Sequence, residues 1–136
     1  DIHTAPRSDK VGHLRAEPRC ALLVHAQDLK VQLRIRARAT VHIADPLADA
    51  QWATTHPASR LLYGSPWAPG VPVDDPAAAA ATLHDRTDAE RRGHFALLRL
   101  QVDRIEWLRL AAGGHRRACY EWPAGAGTPH ATWRMP

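Results

Sequence analysis

The sequence predicts a mainly β fold with flanking helices, its strands antiparallel and the longest of them coiled into a small barrel. Three observations carry this expectation. Val31, Leu33, Ile35, Ala37, Ala39, Val41 and Ile43 alternate with Gln32, Arg34, Arg36, Arg38, Thr40 and His42, and apolar residues at every second position mark a strand with one buried and one basic face. Shorter apolar runs lie close together with hairpin-sized turns between them, so sequence neighbours should pair antiparallel. A strand as long as Val31 to Ile43 must coil to bury its apolar face.

Taken in order, Asp1 to Thr4 is extended and Ala5-Pro6 breaks it. A helix of about two turns follows, with Ser8 at the N-cap, Leu14 facing inward and Pro18 marking the end. Cys20 to His25 is an apolar run suited to a buried strand, and Gln27 to Lys30 reverses the chain into the long strand. Asp45-Pro46, a capping carboxylate before a first-turn proline, launches a helix through about Thr55, where His56-Pro57 stops it. Ser59 to Tyr63 forms a further turn. From Gly64 to Pro76 the prolines remove backbone donors and leave an irregular loop. Ala77 to Arg92 reads as one polar surface helix, on propensity. Phe95 to Val102 and Ile105 to Leu110 read as two strands around a tight turn at Asp103-Arg104. Gly113-Gly114 reverses the chain, Arg117 to Trp122 is a strand, Pro123 to Gly127 a loop, and Ala131 to Met135 the last strand.

With 136 residues, the chain has room for a single domain. Apolar residues at 45% and charged residues at 24% disfavour disorder, collagen-like repeats and disulfide scaffolds. No apolar stretch reaches the roughly 18 residues of a spanning helix and no leader opens the chain, so it reads as soluble and cytoplasmic, without a membrane partner. It begins on Asp and runs at once into a strand end, as a chain that continues upstream would. Cys20 and Cys119 are too few for a disulfide framework and receive no redox role. The net charge of +4 suits an anionic partner. Only Lys10 and Lys30 are lysines, so arginine, the better bidentate partner of phosphate and carboxylate, supplies the rest. No zinc spacing, P-loop, dinucleotide fingerprint or nucleophile elbow occurs, and no metal site is expected.

Thr4-Ala5-Pro6-Arg7-Ser8-Asp9-Lys10 places two hydroxyls, a guanidinium and an ammonium where a strand turns into a helix, the mixed donors that a phosphate needs beside free backbone amides. This stretch resembles the Thr-Asp-x-Arg-Ser-x-Lys segment of the pyridoxamine 5'-phosphate oxidase-like flavoproteins, with Ala5 in place of the Asp. Lys30 to Ala39 is similar to that family's Gln-x-Arg-x-x-Gly-x-Ala strand, and Trp52, His56-Pro57 and Ser59 to its helix ending. Ile105-Glu106-Trp107, Arg117, Tyr120 and Trp133-x-x-Pro136 resemble its closing signature. The resemblance implies an FMN-binding split β-barrel, a homodimer with FMN at its interface, and hydride transfer on a small-molecule substrate. It assigns the flavin phosphate to Arg7, Ser8 and Lys10 with Thr4 nearby. The flavin itself falls to Gln32 and, from the second subunit, to Trp107 and Arg117, while His56, Ser59 and His115 would face the substrate.

Departures from the family pattern bear on that substrate. An arginine of the substrate-phosphate triplet is missing at Gly113-Gly114-His115, His56 replaces another, and Trp52 replaces a tyrosine. Each lost charge-assisted contact is worth roughly 1.5 to 3 kcal/mol, so a phosphorylated vitamin should bind poorly. No catalytic side chain is assigned. Two other readings stay open. One is a flavin or haem carrier without turnover. The other is a basic β module binding nucleic acid through Arg34, Arg36 and Arg38, which the scattered tryptophans disfavour.

Overall fold

The computed structural model describes residues 1–124 and 127–136. The chain runs through β1 (Ile2–Thr4), α1 (Asp9–Ala16), β2 (Arg19–Ala26), β3 (Val31–His42), α2 (Pro46–Thr54) and α3 (Pro57–Leu61). It continues through α4 (Pro76–Ala81), α5 (Asp88–Gly93), β4 (Ala96–Arg109), β5 (Arg116–Glu121) and β6 (His130–Arg134). The six strands form one sheet in the order β2-β3-β4-β5-β6, with β1 pairing β4, and the pairs with a defined register are antiparallel. The fold is therefore mainly antiparallel β with flanking helices, as the alternation and short turns predict. The chain falls into two compact units, one of Asp1–Pro18 with Thr40–Arg99 and one of Arg19–Ala39 with Leu100–Pro136.

The first unit is built around aromatic side chains. Asp45 caps α2 by accepting hydrogen bonds from the backbone N–H groups of Leu47 (3.1 Å) and Ala48 (2.9 Å), with Pro46 behind it. The helix so anchored buries Ala48 and Trp52 against Phe95 and Leu97, with Leu47 and Tyr63 packed alongside. The Phe95 ring meets His3, Trp52 and Tyr63 at centroid distances of 5.1, 5.3 and 5.3 Å, within the range of favourable tilted and edge-to-face pairs. In α1 the buried residue is Val11 and not Leu14, which is half-buried. The single helix expected over Ala77 to Arg92 is broken. After α4 the Thr82 hydroxyl bonds back to Ala79 O at 2.8 Å. Thr87 and Glu90 then form a capping box that starts α5 afresh, so the hydroxyl chemistry of two threonines overrides the alanine run. Buried Gly64 lies against this break, where a Cβ would come 2.3 Å from Leu83 O.

In the second unit β3 behaves as its alternation requires, with Arg34, Arg36 and Arg38 in solvent and Ala37 and Ala39 buried. β2 does not form the buried strand expected of its composition. It is the edge of the sheet, with Leu23 67% and Val24 43% exposed. The turn expected at Asp103-Arg104 is also absent, and β4 runs unbroken through both residues. Their charges are met across the sheet: Arg36 on β3 holds Asp103, and Arg104 reaches Glu121 on β5 at 2.9 Å. Satisfied in this way, the two residues need not turn out to water. The reversals elsewhere occur where expected, with Lys30 at φ 51° before β3 and Gly114 at φ 114° before β5. The loop expected over Pro123 to Gly127 contains residues 125 and 126, which lie outside the described residues.

Candidate functional site

The amino-terminal donors come together, with one exception. Thr4, buried at the end of β1, and Ser8, buried before α1, place their hydroxyl oxygens 3.2 Å apart. The Lys10 ammonium lies over both, 3.2 Å from Thr4 Oγ1 and 3.5 Å from Ser8 Oγ. Ser8 holds the N-cap position but makes no capping bond, so its hydroxyl is spent on this cluster. Among the described residues no carboxylate pairs with Lys10. The result is a positive charge flanked by two hydroxyls at the start of a helix, a combination suited to an anion. Arg7 is not part of it. Its guanidinium donates to the carbonyls of Pro66 (2.7 Å), Ser65 (3.1 Å) and Trp67 (3.4 Å), tying down the irregular loop.

In the second unit, Gln32 and Arg117 line one cavity of about 90 Å³ together with Arg34, Glu106 and Leu108. Glu106 organises it. One carboxylate oxygen accepts from Arg117 and the other from Arg104 at 2.6 Å, and Arg104 also holds Glu121. The Arg117 guanidinium, followed by that of Arg104, holds the Glu106 carboxyl below the usual carboxylate range. Trp107 stands on the opposite face of the sheet from Arg117. Register places Trp107 beside Ala118 and Trp133, and Leu108 beside Arg117. The two tryptophan rings meet edge to face at 6.4 Å, with Trp133 73% exposed. The structure thus brings Gln32 and Arg117 to one cavity and leaves Trp107 out of it.

The substrate candidates are surface groups. His56 caps α3, its Nδ1 accepting from the Ala58 N–H at 3.2 Å, and Ser59 lies exposed in the same helix. His115 is exposed in the turn before β5, where its Nδ1 accepts from the Ala111 N–H at 3.4 Å. Trp52 is a core anchor and not a ligand contact. It is 6% exposed, its indole N–H donates to Asp88 at 3.2 Å, and Arg60 lies over its ring. Arg36 is neutralised by Asp103, so the basic ridge of β3 is less charged than its sequence suggests.

Sequence reasoning named Glu106 within the closing signature but gave it no role, although its spacing of two from Arg104 on a strand was a signal that both share a face. It also passed over a second cavity, of about 250 Å³, lined by Arg7, Tyr63, Ser65, Trp67 and His94 among others. There, burial pushes the Tyr63 phenol up. His94 Nδ1 lies 3.0 Å from Tyr63 O, and since a carbonyl only accepts, Nδ1 carries the proton.

The lowered pKa of Glu106 sets a pH prediction. A carboxyl whose folded pKa lies below its unfolded value contributes stability that is complete above the unfolded pKa and disappears as pH falls through the folded one. Asp45, held down first by the Ala48 N–H, and Glu90, held down first by the Thr87 N–H, titrate in the same sense, so the comparison must be with a variant. Glu106→Gln is expected to melt below wild type at about pH 7 and to approach it as pH falls below the usual carboxylate range. Thermal melts across that range check this; a gap that persists in acid would mean that packing, not charge, is at work.

No protein-family model and no curated protein sequence matches the chain. Solved structures do. A pyridoxamine 5'-phosphate oxidase-related, FMN-binding protein from Nostoc punctiforme superposes with a TM-score of 0.82 at 21% identity, over 98% of this chain and 71% of that one. PhzG from Burkholderia lata, solved in complex with tetrahydrophenazine-1-carboxylic acid, superposes with a TM-score of 0.73 at 19% identity, over 99% of this chain and 67% of that one. Among the described residues, no helix is long and apolar enough to cross a membrane. The chain has the fold of these two proteins, the one its sequence motifs resemble.

Proposed function

We propose that the chain is an FMN-binding flavoprotein, an FMN-dependent oxidoreductase that works as a cytoplasmic homodimer on a small-molecule substrate, with the flavin at the subunit interface. The observation that carries this reading is the Lys10 ammonium drawn over the Thr4 and Ser8 hydroxyls with no carboxylate beside it among the described residues. The fold shared with an FMN-binding protein supports it.

The residues present fit a flavin phosphate. Lys10 neutralises its charge, Thr4 and Ser8 donate to its oxygens, and each such charge-assisted bond is stronger than a neutral one. Arg7 contributes indirectly, by holding the loop at Ser65 to Trp67. Gln32 and Arg117 offer an amide and a guanidinium to the polar edge of the ring, and Glu106 orients the latter. Trp107 offers an aromatic surface. FMN supplies the hydride chemistry; the side chains bind, orient and set the charge around it. His56, Ser59 and His115, all exposed, are the candidates to meet substrate.

Purified protein is expected to be yellow, or to take up added FMN with quenching of flavin fluorescence, and to cycle between reduction by a nicotinamide cofactor and reoxidation by an added acceptor. A colourless protein that leaves added FMN unbound would end the flavin reading. Binding without any cycling would reduce it to a carrier.

A further inference from the structure

We propose that the exposed sheet face bearing Arg34 binds a small aromatic monocarboxylate, with the Arg34 guanidinium pairing its carboxylate. As the class of substrate this rests on the flavin reading above; as a binding site it stands on residues of the second unit alone. Gln32, Arg34 and Arg36 project from one face of β3, and His25, Leu23 and Ala21 of β2 lie directly across from them. Two cavities open here, of about 250 and 90 Å³, and both have Arg34 and Glu106 in their walls.

The charges of this face do not balance. Arg36 is paired with Asp103, Arg104 spans Glu106 and Glu121, and Arg117 takes the remaining oxygen of Glu106. Both Glu106 oxygens already face other guanidinium groups, and among the described residues no hydrogen bond or ion pair engages the Arg34 guanidinium. Among the residues that line the two cavities and their ion-pair partners, one positive charge is therefore left over, on the wall common to both.

That surplus specifies the ligand. A guanidinium fork matches a carboxylate with two parallel hydrogen bonds. A single negative charge closes the balance, whereas a dianionic phosphate would bring a second charge up against Glu106. Apolar side chains stand on either side of the guanidinium: Ala21 and Ile35 line the larger cavity and Leu108 the smaller, and Leu23, directly across from Arg34 on β2, is 67% exposed. Exposed apolar surface beside an unpaired cation fits a flat hydrocarbon ring carrying one carboxylate. The cavity volumes suit a single ring rather than a drug-sized molecule.

Calorimetric titration with benzoate tests this, with benzamide and phenyl phosphate as comparison ligands. Arg34 and Arg38 are both exposed, so Arg34→Met and Arg38→Met should fold, and Arg38 lines neither cavity. Benzoate is expected to bind better than either comparison ligand. Its affinity should fall about tenfold to a hundredfold in Arg34→Met and hold in Arg38→Met. Absence of benzoate binding, equal binding of benzamide, preference for phenyl phosphate, or indifference to Arg34→Met would each overturn the proposal. FMN uptake, followed by absorbance on the same samples, separates the two readings. Protein that takes up FMN but not benzoate loses this site and keeps the flavin. Protein that binds benzoate through Arg34 but refuses FMN keeps the site and loses the flavin.

Discussion

Phe95→Ala is expected to lower the unfolding free energy by about 3 to 5 kcal/mol. Phe95 is fully buried and touches rings on three sides, those of His3, Trp52 and Tyr63. It also has the Arg92 guanidinium 5.6 Å from its ring centroid. Truncation removes the transfer free energy of a whole aromatic side chain and leaves a hole that its neighbours cannot easily fill. They are pinned: the Trp52 indole N–H donates to Asp88, and Arg92 donates to Ile43 O at 2.7 Å and pairs with Asp49. Urea unfolding measures the effect. Leu62→Ala, at a side chain 68% exposed, serves as the comparison and is expected to change stability by less than about 0.5 kcal/mol. A Phe95→Ala cost of that same small size would show that the aromatic cluster is not what holds the first unit together.

Lys10→Met is expected to weaken FMN binding by about tenfold to a hundredfold, the range of a lost charge-assisted phosphate contact. Lys10 is exposed, so the variant should unfold at the same urea concentration as wild type. That separates loss of grip from loss of structure. Methionine keeps most of the stem and removes only the charge. The remaining affinity should also fall less steeply with added salt than that of wild type, because one fewer cation faces the phosphate. Flavin fluorescence titrations at two ionic strengths check both points. Unchanged affinity in Lys10→Met would mean that the flavin phosphate, if bound, lies elsewhere.

The parts of the molecule that were legible in the sequence are those decided by near neighbours. The alternation of Val31 to Ile43 sets the two faces of β3, and Asp45 with Pro46 starts α2. The cluster of two hydroxyls and an ammonium was legible for the same reason, since Thr4, Ser8 and Lys10 fall on one strand-to-helix turn and meet almost wherever that turn is placed. The failures have the opposite character. Arg7 stands in the middle of that motif, yet its side chain is claimed by carbonyls of Ser65, Pro66 and Trp67, far along the chain. Asp103-Arg104 looked like a turn because charged pairs usually seek water. Its partners, Arg36 and Glu121, lie on flanking strands that local patterning could not bring near.

The site divides along the same line. The family resemblance named Gln32, Trp107 and Arg117 as one group, but only the strand register shows that Trp107 and Arg117 face opposite sides of the sheet. It likewise offered Arg34, Arg36 and Arg38 as equals. Only the packed sheet distinguishes the arginine that has a carboxylate from the one left over at a cavity. Residue type and spacing determined which chemistries this chain can display, because helix caps and strand faces are settled within a few residues. Which of those groups are spent on one another, and which remain for a ligand, was decided by tertiary structure, because a charge is satisfied by whatever folding brings within hydrogen-bond distance.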